Sequence, residues 1–197
     1  KPAGIAIDTE GNLYIADAGR STIHVLDKDG KRLESISRFG WREGELDNPT
    51  DLCVDSQLRL YIADTGNNRI QRFSLLNRDF SILLGEKQDE SKGKITLSGP
   101  QGISTDMRGD IYIADTWNHR IIKVDPLGRL RMEIGGVGQM NKPQGLTVDI
   151  DNFIYVCDTG NNRLIKFNFS GIQISEWKIH GPVSVSLDKF GYIYVVS

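Results

Sequence analysis

The sequence is poor in the residues that build reactive centres. Its 197 residues hold 2 cysteines and 3 histidines. Cys53 and Cys157 are too few for a disulfide framework, and no C-x-x-C or H-x-x-x-H spacing supplies a set of metal ligands. There is no G-x-S-x-G elbow. The run Gly135-Gly136-Val137-Gly138 lacks the lysine that a phosphate-binding loop needs, so it reads as a connection. An excess of one charge is missing as well. With 24 Lys+Arg against 26 Asp+Glu, the net charge is −2, and no global field draws in nucleic acid or an anionic membrane. No apolar run approaches the roughly 20 residues of a membrane-spanning helix. No secretory leader is visible, and so few cysteines leave the compartment open.

What the chain does have is repetition. The segment YIADTGNNRI (61–70) returns as YVCDTGNNRL (155–164) and YIADTWNHRI (112–121), with a worn copy, YIADAGRSTI, at 14–23. The aspartates Asp17, Asp64, Asp115 and Asp158 step by 47, 51 and 43 residues. The prolines Pro2, Pro49, Pro100 and Pro143 repeat those steps, and Pro182 extends them. The 21 glycines recur at regular places, which points to turns.

Each period reads as four short strands. A first strand such as Gly4-Ile5-Ala6-Ile7 leads through a DTEGN- or DMRGD-type turn to the apolar run LYIAD. The hexapeptide follows, then a third strand such as Ile70 to Phe73, a second turn such as LDKDGK, and a fourth strand. No helical apolar stripe is sustained anywhere. Four-stranded units of about 45 residues are the pattern of β-propeller blades. The expected class is all-β, a β-propeller with four complete blades and half of a fifth. The blades are expected at 2–48, 49–99, 100–142, 143–181 and 182–197 of a single partial propeller. Ala6, Cys53, Ser104, Thr147 and Ser186 share one register of the first strand, where crowding near the axis is expected to exclude bulk. Cys157 stands where the other copies carry alanine, so both cysteines read as small packed residues.

The string P-x-G-I-x-x-D…Y-I-A-D-T-G-N-N-R-I-x-x-F, with a glycine-rich return such as Phe39-Gly40…Gly44…Pro49, resembles the NHL repeat. The match covers nearly the whole chain. The first blade departs from it, with Ala18-Gly19-Arg20-Ser21-Thr22 in place of Thr-Gly-Asn-Asn-Arg. The resemblance implies a propeller, most often six-bladed, and no single function, since the family includes scaffolds, RNA binders and an amidating lyase. Six blades would need roughly 270 residues. The chain, which opens at Lys1-Pro2, is therefore expected to be part of a longer ring, with further blades or flanking domains among its partners.

A residue that recurs in every blade is expected to do a structural job. Asp17, Asp64, Asp115 and Asp158 close the second strands, and Arg69, Arg120 and Arg163 return at one register, ready to pair with them. Function then falls to departures from the repeat. The first is Trp117-Asn118-His119, where the neighbours have Gly-Asn-Asn. The second is Trp41-Arg42-Glu43, and the third is the longest crossover, residues 86–97. Each has a blander reading: Trp117 and Trp41 as packing residues, His119 as a turn hydrogen-bonder, and 86–97 as a solvated loop.

A metal-dependent lyase or hydrolase would need converging histidines, and only His24, His119 and His180 exist, with His24 in mid-strand. For RNA, the pairs Arg69/Arg72, Arg120/Lys123 and Arg163/Lys166 fall on opposite sides of their strands and make no stripe. The expectation is a non-catalytic binding or scaffolding propeller that presents its loop face to a protein, peptide or polymer. No cofactor and no metal is expected. The lyase or hydrolase, its centre completed by further blades, is the first alternative and RNA binding the second.

Overall fold

A computed structural model describes residues 1–85 and 95–197, and residues 86–94 of the longest crossover lie outside it. The chain divides into two compact units, Lys1–Pro100 and Gln101–Ser197. In the first, β1 (Pro2–Ile7), β2 (Leu13–Asp17), β3 (Thr22–Leu26) and β4 (Arg32–Ile36) form one antiparallel sheet in chain order. β5 (Pro49–Val54), β6 (Arg59–Asp64), β7 (Arg69–Ser74) and β8 (Phe80–Leu84) form another. In the second, β9 (Pro100–Thr105, starting at the boundary residue), β10 (Ile111–Asp115), β11 (Arg120–Val124) and β12 (Leu130–Gly135) make a third sheet. β13 (Leu146–Val148), β14 (Ile154–Asp158), β15 (Arg163–Phe167) and β16 (Gln173–Lys178) make a fourth. A two-stranded sheet of β17 (Ser184–Leu187) and β18 (Ile193–Val196) follows.

Within each unit, neighbouring sheets pack face to face, and the second strands β6, β10 and β14 have no solvent side. That is why LYIAD reads as a continuous apolar run rather than an alternating one. Leu60, Tyr61, Ile62 and Ala63 are fully buried, as are Ile111, Tyr112, Ile113 and Ala114. In the first unit Tyr14, Ile23, Val25 and Ile36 of one sheet meet Leu52, Leu60, Ile62 and Phe73 of the next, with Leu46 of the crossover between them. In the second, Tyr112, Ile121 and Ile134 pack with Leu146, Val156, Ile165 and Phe167.

A second recurrent device lies at the far end of the sheets. The tyrosine of each second strand donates its hydroxyl to an aspartate six residues earlier. The pairs are Tyr14–Asp8, Tyr61–Asp55, Tyr112–Asp106, Tyr155–Asp149 and Tyr194–Asp188, at 3.0, 3.3, 3.1, 3.2 and 3.1 Å. The other oxygen of Asp55 accepts the backbone N–H groups of Gln57 and Arg59, both at about 3 Å, and Asp8 and Asp106 repeat the pattern. One carboxylate thus closes the turn and fixes the strand beside it.

The crowding expected along the first strands is present, but glycines carry it. A Cβ on Gly4 would lie 2.6 Å from Asp51 Cα, one on Gly102 2.2 Å from the Gln144 carbonyl oxygen, and one on Gly145 2.7 Å from Ser184 Cα. Ala6, Cys53, Ser104 and Thr147 are half-buried and Ser186 is exposed. Of the two free cysteines, Cys157 is fully buried, which pushes its thiol up to about 12, and Cys53 is half-buried.

Candidate functional site

The hexapeptide follows the second strand as a 3-10 turn: Thr65–Asn67, Thr116–Asn118 and Thr159–Asn161. Strand register then sets the arginine beside the aspartate, with Asp64 opposite Arg69, Asp115 opposite Arg120 and Asp158 opposite Arg163. The Arg Nε to Asp Oδ2 distances are 2.6, 2.8 and 2.8 Å, and all three carboxylates are fully buried. The side-chain amides of Asn67, Asn118 and Asn161 donate to the same carboxylates. The crossover adds a backbone donor, Asp47 N–H to Asp64 and Asn141 N–H to Asp158, both at 2.7 Å. Chiefly through its bond to Asp158, Arg163 is held further into its charged range. The hexapeptide threonines complete the lock, with Thr65 Oγ1 donating to the Pro100 carbonyl, Thr116 to Pro143 and Thr159 to Pro182.

The worn first copy solves the problem differently. Thr22 stands where an arginine would be, and Asp17 is met instead by Arg20 Nη1 at 3.2 Å and His24 Nε2 at 3.4 Å. His24 occupies the register of Gln71, whose amide likewise reaches Asp64 at 3.0 Å. His24 is thereby tied to the structural carboxylate, and its Nδ1 faces Ser35 Oγ at 3.0 Å.

The residue after each turn has a left-handed backbone: Ser21, Asn68, His119 and Asn162 have φ of 51, 50, 58 and 53°. Each side chain accepts one crossover N–H. Asn48 N–H reaches Ser21 Oγ, Gly99 reaches Asn68 Oδ1, Lys142 reaches His119 Nδ1 at 3.2 Å, and Gly181 reaches Asn162 Oδ1. His119 therefore does the work of the asparagine it replaces, in the tautomer that carries its proton on Nε2.

Of the candidate residues, Trp117, Asn118 and His119 lie together on one turn. The Trp117 ring is 53% exposed, with Lys142 Nζ 4.5 Å from its centroid. Trp41 is 71% exposed and Arg42 is exposed too, but their carbonyls accept from Arg69 Nη1 and Nη2 at 2.8 Å. Glu43 Oε2 accepts the Ile82 N–H at 3.3 Å. The two tryptophan-bearing groups lie in different units. Ile95 and Leu97, which end the longest crossover, are buried. Sequence reading missed Lys142, which stands immediately before Pro143 with a φ of 50°. The sequence signal was weak, since the same place before a proline holds Lys1 and Asn48 as well as Gly99 and Gly181.

At the turn of the next sheet, Gly138, Gln139, Asn161, Glu176, Lys178 and His180 line a groove of about 620 Å³. The basic pairs make no stripe. Lys123, for example, is held by Asp106 and Asp110, and Arg72 by Ser81. Among the described residues, no three His, Cys, Asp or Glu side chains are grouped to hold a metal ion, and no helix is long and apolar enough to cross a membrane.

The NHL-repeat family model matches residues 1–26, 46–73, 97–124 and 140–167. The chain belongs to the NHL-repeat family. No curated protein matches it in sequence. Among solved structures, a streptogramin B lyase is similar at 22% identity and a TM-score of 0.77, over 99% of this chain and 61% of the lyase. A nidogen/laminin complex matches at 21% identity and a TM-score of 0.82, over 99% and 71%. A gluconolactonase from Xanthomonas campestris matches at 15% and 0.76, over 99% and 68%. This NHL-repeat chain thus spans about three-fifths of the lyase it matches, and such identities carry the fold alone. That fold is the β-propeller, here as four four-stranded blades and a two-stranded fifth.

Proposed function

We propose that this NHL-repeat chain is a non-catalytic binding module that presents its hexapeptide turns and crossovers to a protein or peptide partner. One contrast carries the reading. The recurrent Asp, Asn, Thr and Arg groups are committed to buried contacts that hold turn to blade, whereas the aromatic departure Trp117 stands exposed on the same turn. Tryptophan is a typical interface anchor, and a rigid turn presents it at low entropic cost. The similarity to a structure of a nidogen/laminin complex supports protein binding as a use of this fold. The lyase and hydrolase similarities make metal-dependent catalysis the runner-up, and metal analysis of the purified full-length protein addresses it.

The direct test is selection of displayed peptides on the wild-type chain, followed by measurement on a variant with Trp117→Ala and His119→Asn, the residue that keeps the turn hydrogen bond in the neighbouring copies. Selected peptides should lose the variant while its Tm stays close to wild type. Equal binding to both proteins would remove this surface from the reading.

A further inference from the structure

The seam between the first and second sheets is filled, and the corresponding seam between the third and fourth sheets is hollow. In the first seam Phe80, at the start of β8, stands opposite Phe73, with ring centroids 4.7 Å apart and a tilt of 48°. The crossover lies directly on it, since a Cβ added at Gly44 would come within 3.3 Å of the Phe80 ring. Gln71 holds that crossover in place. Its Oε1 accepts the Gly44 N–H at 2.9 Å, and its Nε2 donates to the Glu45 carbonyl at 2.6 Å.

The later seam, which lies wholly within the second unit, keeps the floor and loses the filling. Phe167 takes the place of Phe73, but Gln173 stands opposite it, with its amide bonded to Glu176 Oε2 at 3.1 Å. Ile165 takes the place of Gln71, two residues beyond the arginine that faces the buried aspartate, and its side chain has no group to bind the crossover. The crossover is also shorter, 136–142 before Pro143 against 37–48 before Pro49. What remains is a cavity of about 370 Å³ walled by Ile134, Met140, Ile165 and Phe167, with the exposed Gln139 and Gln173 at its mouth. The charged residues that line it are already engaged, Arg163 with Asp158 and Glu176, and Glu133 with Arg120. An apolar hollow of this kind selects for a neutral, apolar occupant.

The repeat itself shows which occupant fits, because a phenylalanine ring fills this register in the first unit. We propose that the cavity takes a phenylalanine side chain of a partner peptide, seated on Phe167 as Phe80 is seated on Phe73. Tilted aromatic pairs gain more than the area they bury. The inference rests on the binding-module reading and names a residue that the partner carries.

The test titrates the chain with acetyl-Gly-Phe-Gly-amide and follows the methyl resonances of Ile134, Met140 and Ile165, with peptides carrying Leu or Glu in place of Phe for comparison. Gln173→Phe supplies the ring from within, and Gln173→Ala leaves the cavity open. The Phe peptide should shift all three methyl groups in wild type and in Gln173→Ala. In Gln173→Phe its affinity should fall about tenfold or more, while the Tm holds or rises as the cavity fills. Methyl groups that do not move, or equal affinity for Gln173→Phe, overturn the proposal. Loss of binding in Gln173→Ala as well overturns it by placing the peptide on the Gln173 amide, and equal binding of the Leu or Glu peptide overturns the aromatic assignment. Self-association that Gln173→Phe abolishes would put a second copy's ring in the cavity and overturn the peptide as occupant. If selected peptides need Trp117 yet bind Gln173→Phe as tightly as wild type, the aromatic site fails while the binding module stands.

Discussion

The crossover that carries Trp41 and the crossover that carries Lys142 are built from the same repeat and end differently. In the first unit, residues 37–48 fold back over their sheet. Arg69 donates to the carbonyls of Trp41, Arg42 and Glu45, Gln71 Nε2 donates to Glu45 again, and Ser37 Oγ donates to the Gly44 carbonyl. Phe80 packs on Phe73 at 4.7 Å. In the second unit, the shorter segment 136–142 leaves Arg163 with one crossover carbonyl, that of Gln139, and with Glu176. Gln173 stands opposite Phe167 where Phe80 would be, and a cavity of about 370 Å³ opens between Ile134, Met140, Arg163 and Phe167. The same brick is sealed in one place and open in the other, and the open one carries Lys142, whose ammonium lies over the Trp117 ring.

The largest effect should come from breaking the sealed crossover. Arg69→Ala strands a fully buried Asp64 and releases three carbonyls, for an expected loss of about 3–5 kcal/mol in denaturant unfolding. Arg163→Ala should cost less, because its side chain is 24% exposed and holds one such carbonyl. An equal loss for both would erase the distinction between the crossovers.

Exchanging the turn residue sharpens the comparison. A Cβ at Gly66 would lie 2.5 Å from Asp47 Cγ and 2.9 Å from its carbonyl oxygen, so Gly66→Trp should destabilise by about 1–3 kcal/mol. Trp117→Gly should leave the Tm nearly unchanged, and a large drop would make Trp117 a packing residue.

The Asp–Tyr pairs at the far end should respond alike in both units. Burial comes first in holding the phenols of Tyr14, Tyr61 and Tyr112 above their ordinary value of 10.0. The neutral phenol is the form the fold favours. This stabilisation is complete below about pH 10 and is lost as pH rises through the folded-state value. Unfolding free energy should therefore fall progressively above about pH 10, and Tyr61→Phe, at a cost of about 1 kcal/mol near neutrality, should flatten that fall. A flat profile through this range in the wild-type protein would contradict the account.

Lys142→Gly should have the smallest effect and the opposite sign, a gain of about 0.5 kcal/mol as left-handed strain is relieved. Asn48→Gly, at the same place in the first unit, should gain less, since asparagine tolerates that backbone.

Much of the fold was legible because a repeat reports itself several times over. The steps between Pro2, Pro49, Pro100 and Pro143 set the period, and the apolar run before each aspartate marked a strand buried on both faces. The Asp–Tyr device was equally periodic, six residues apart in five copies, yet the aspartate was explained by its turn and the tyrosine by its strand. The crowding of the first strands was placed on Cys53 and its counterparts because small size was visible, whereas close approach at Gly4 and Gly102 depends on the neighbouring backbone. At the candidate site, Trp117 and His119 stood out as departures. Lys142 did not, because its meaning comes from a backbone angle and from a contact with a turn more than twenty residues away.

The most direct measurement compares two variants of the second unit for Tm and for binding of selected peptides. Asp158→Ala should lower the Tm by several degrees, and it tests whether the repeated segment holds the blade. A reversion of the turn to the repeat, Trp117→Gly with His119→Asn, should keep the Tm and abolish binding. A reversion that melts early and a stable Asp158→Ala chain that loses its ligand would contradict the account, because the recurring residues would then be the binding site and the departures the scaffold.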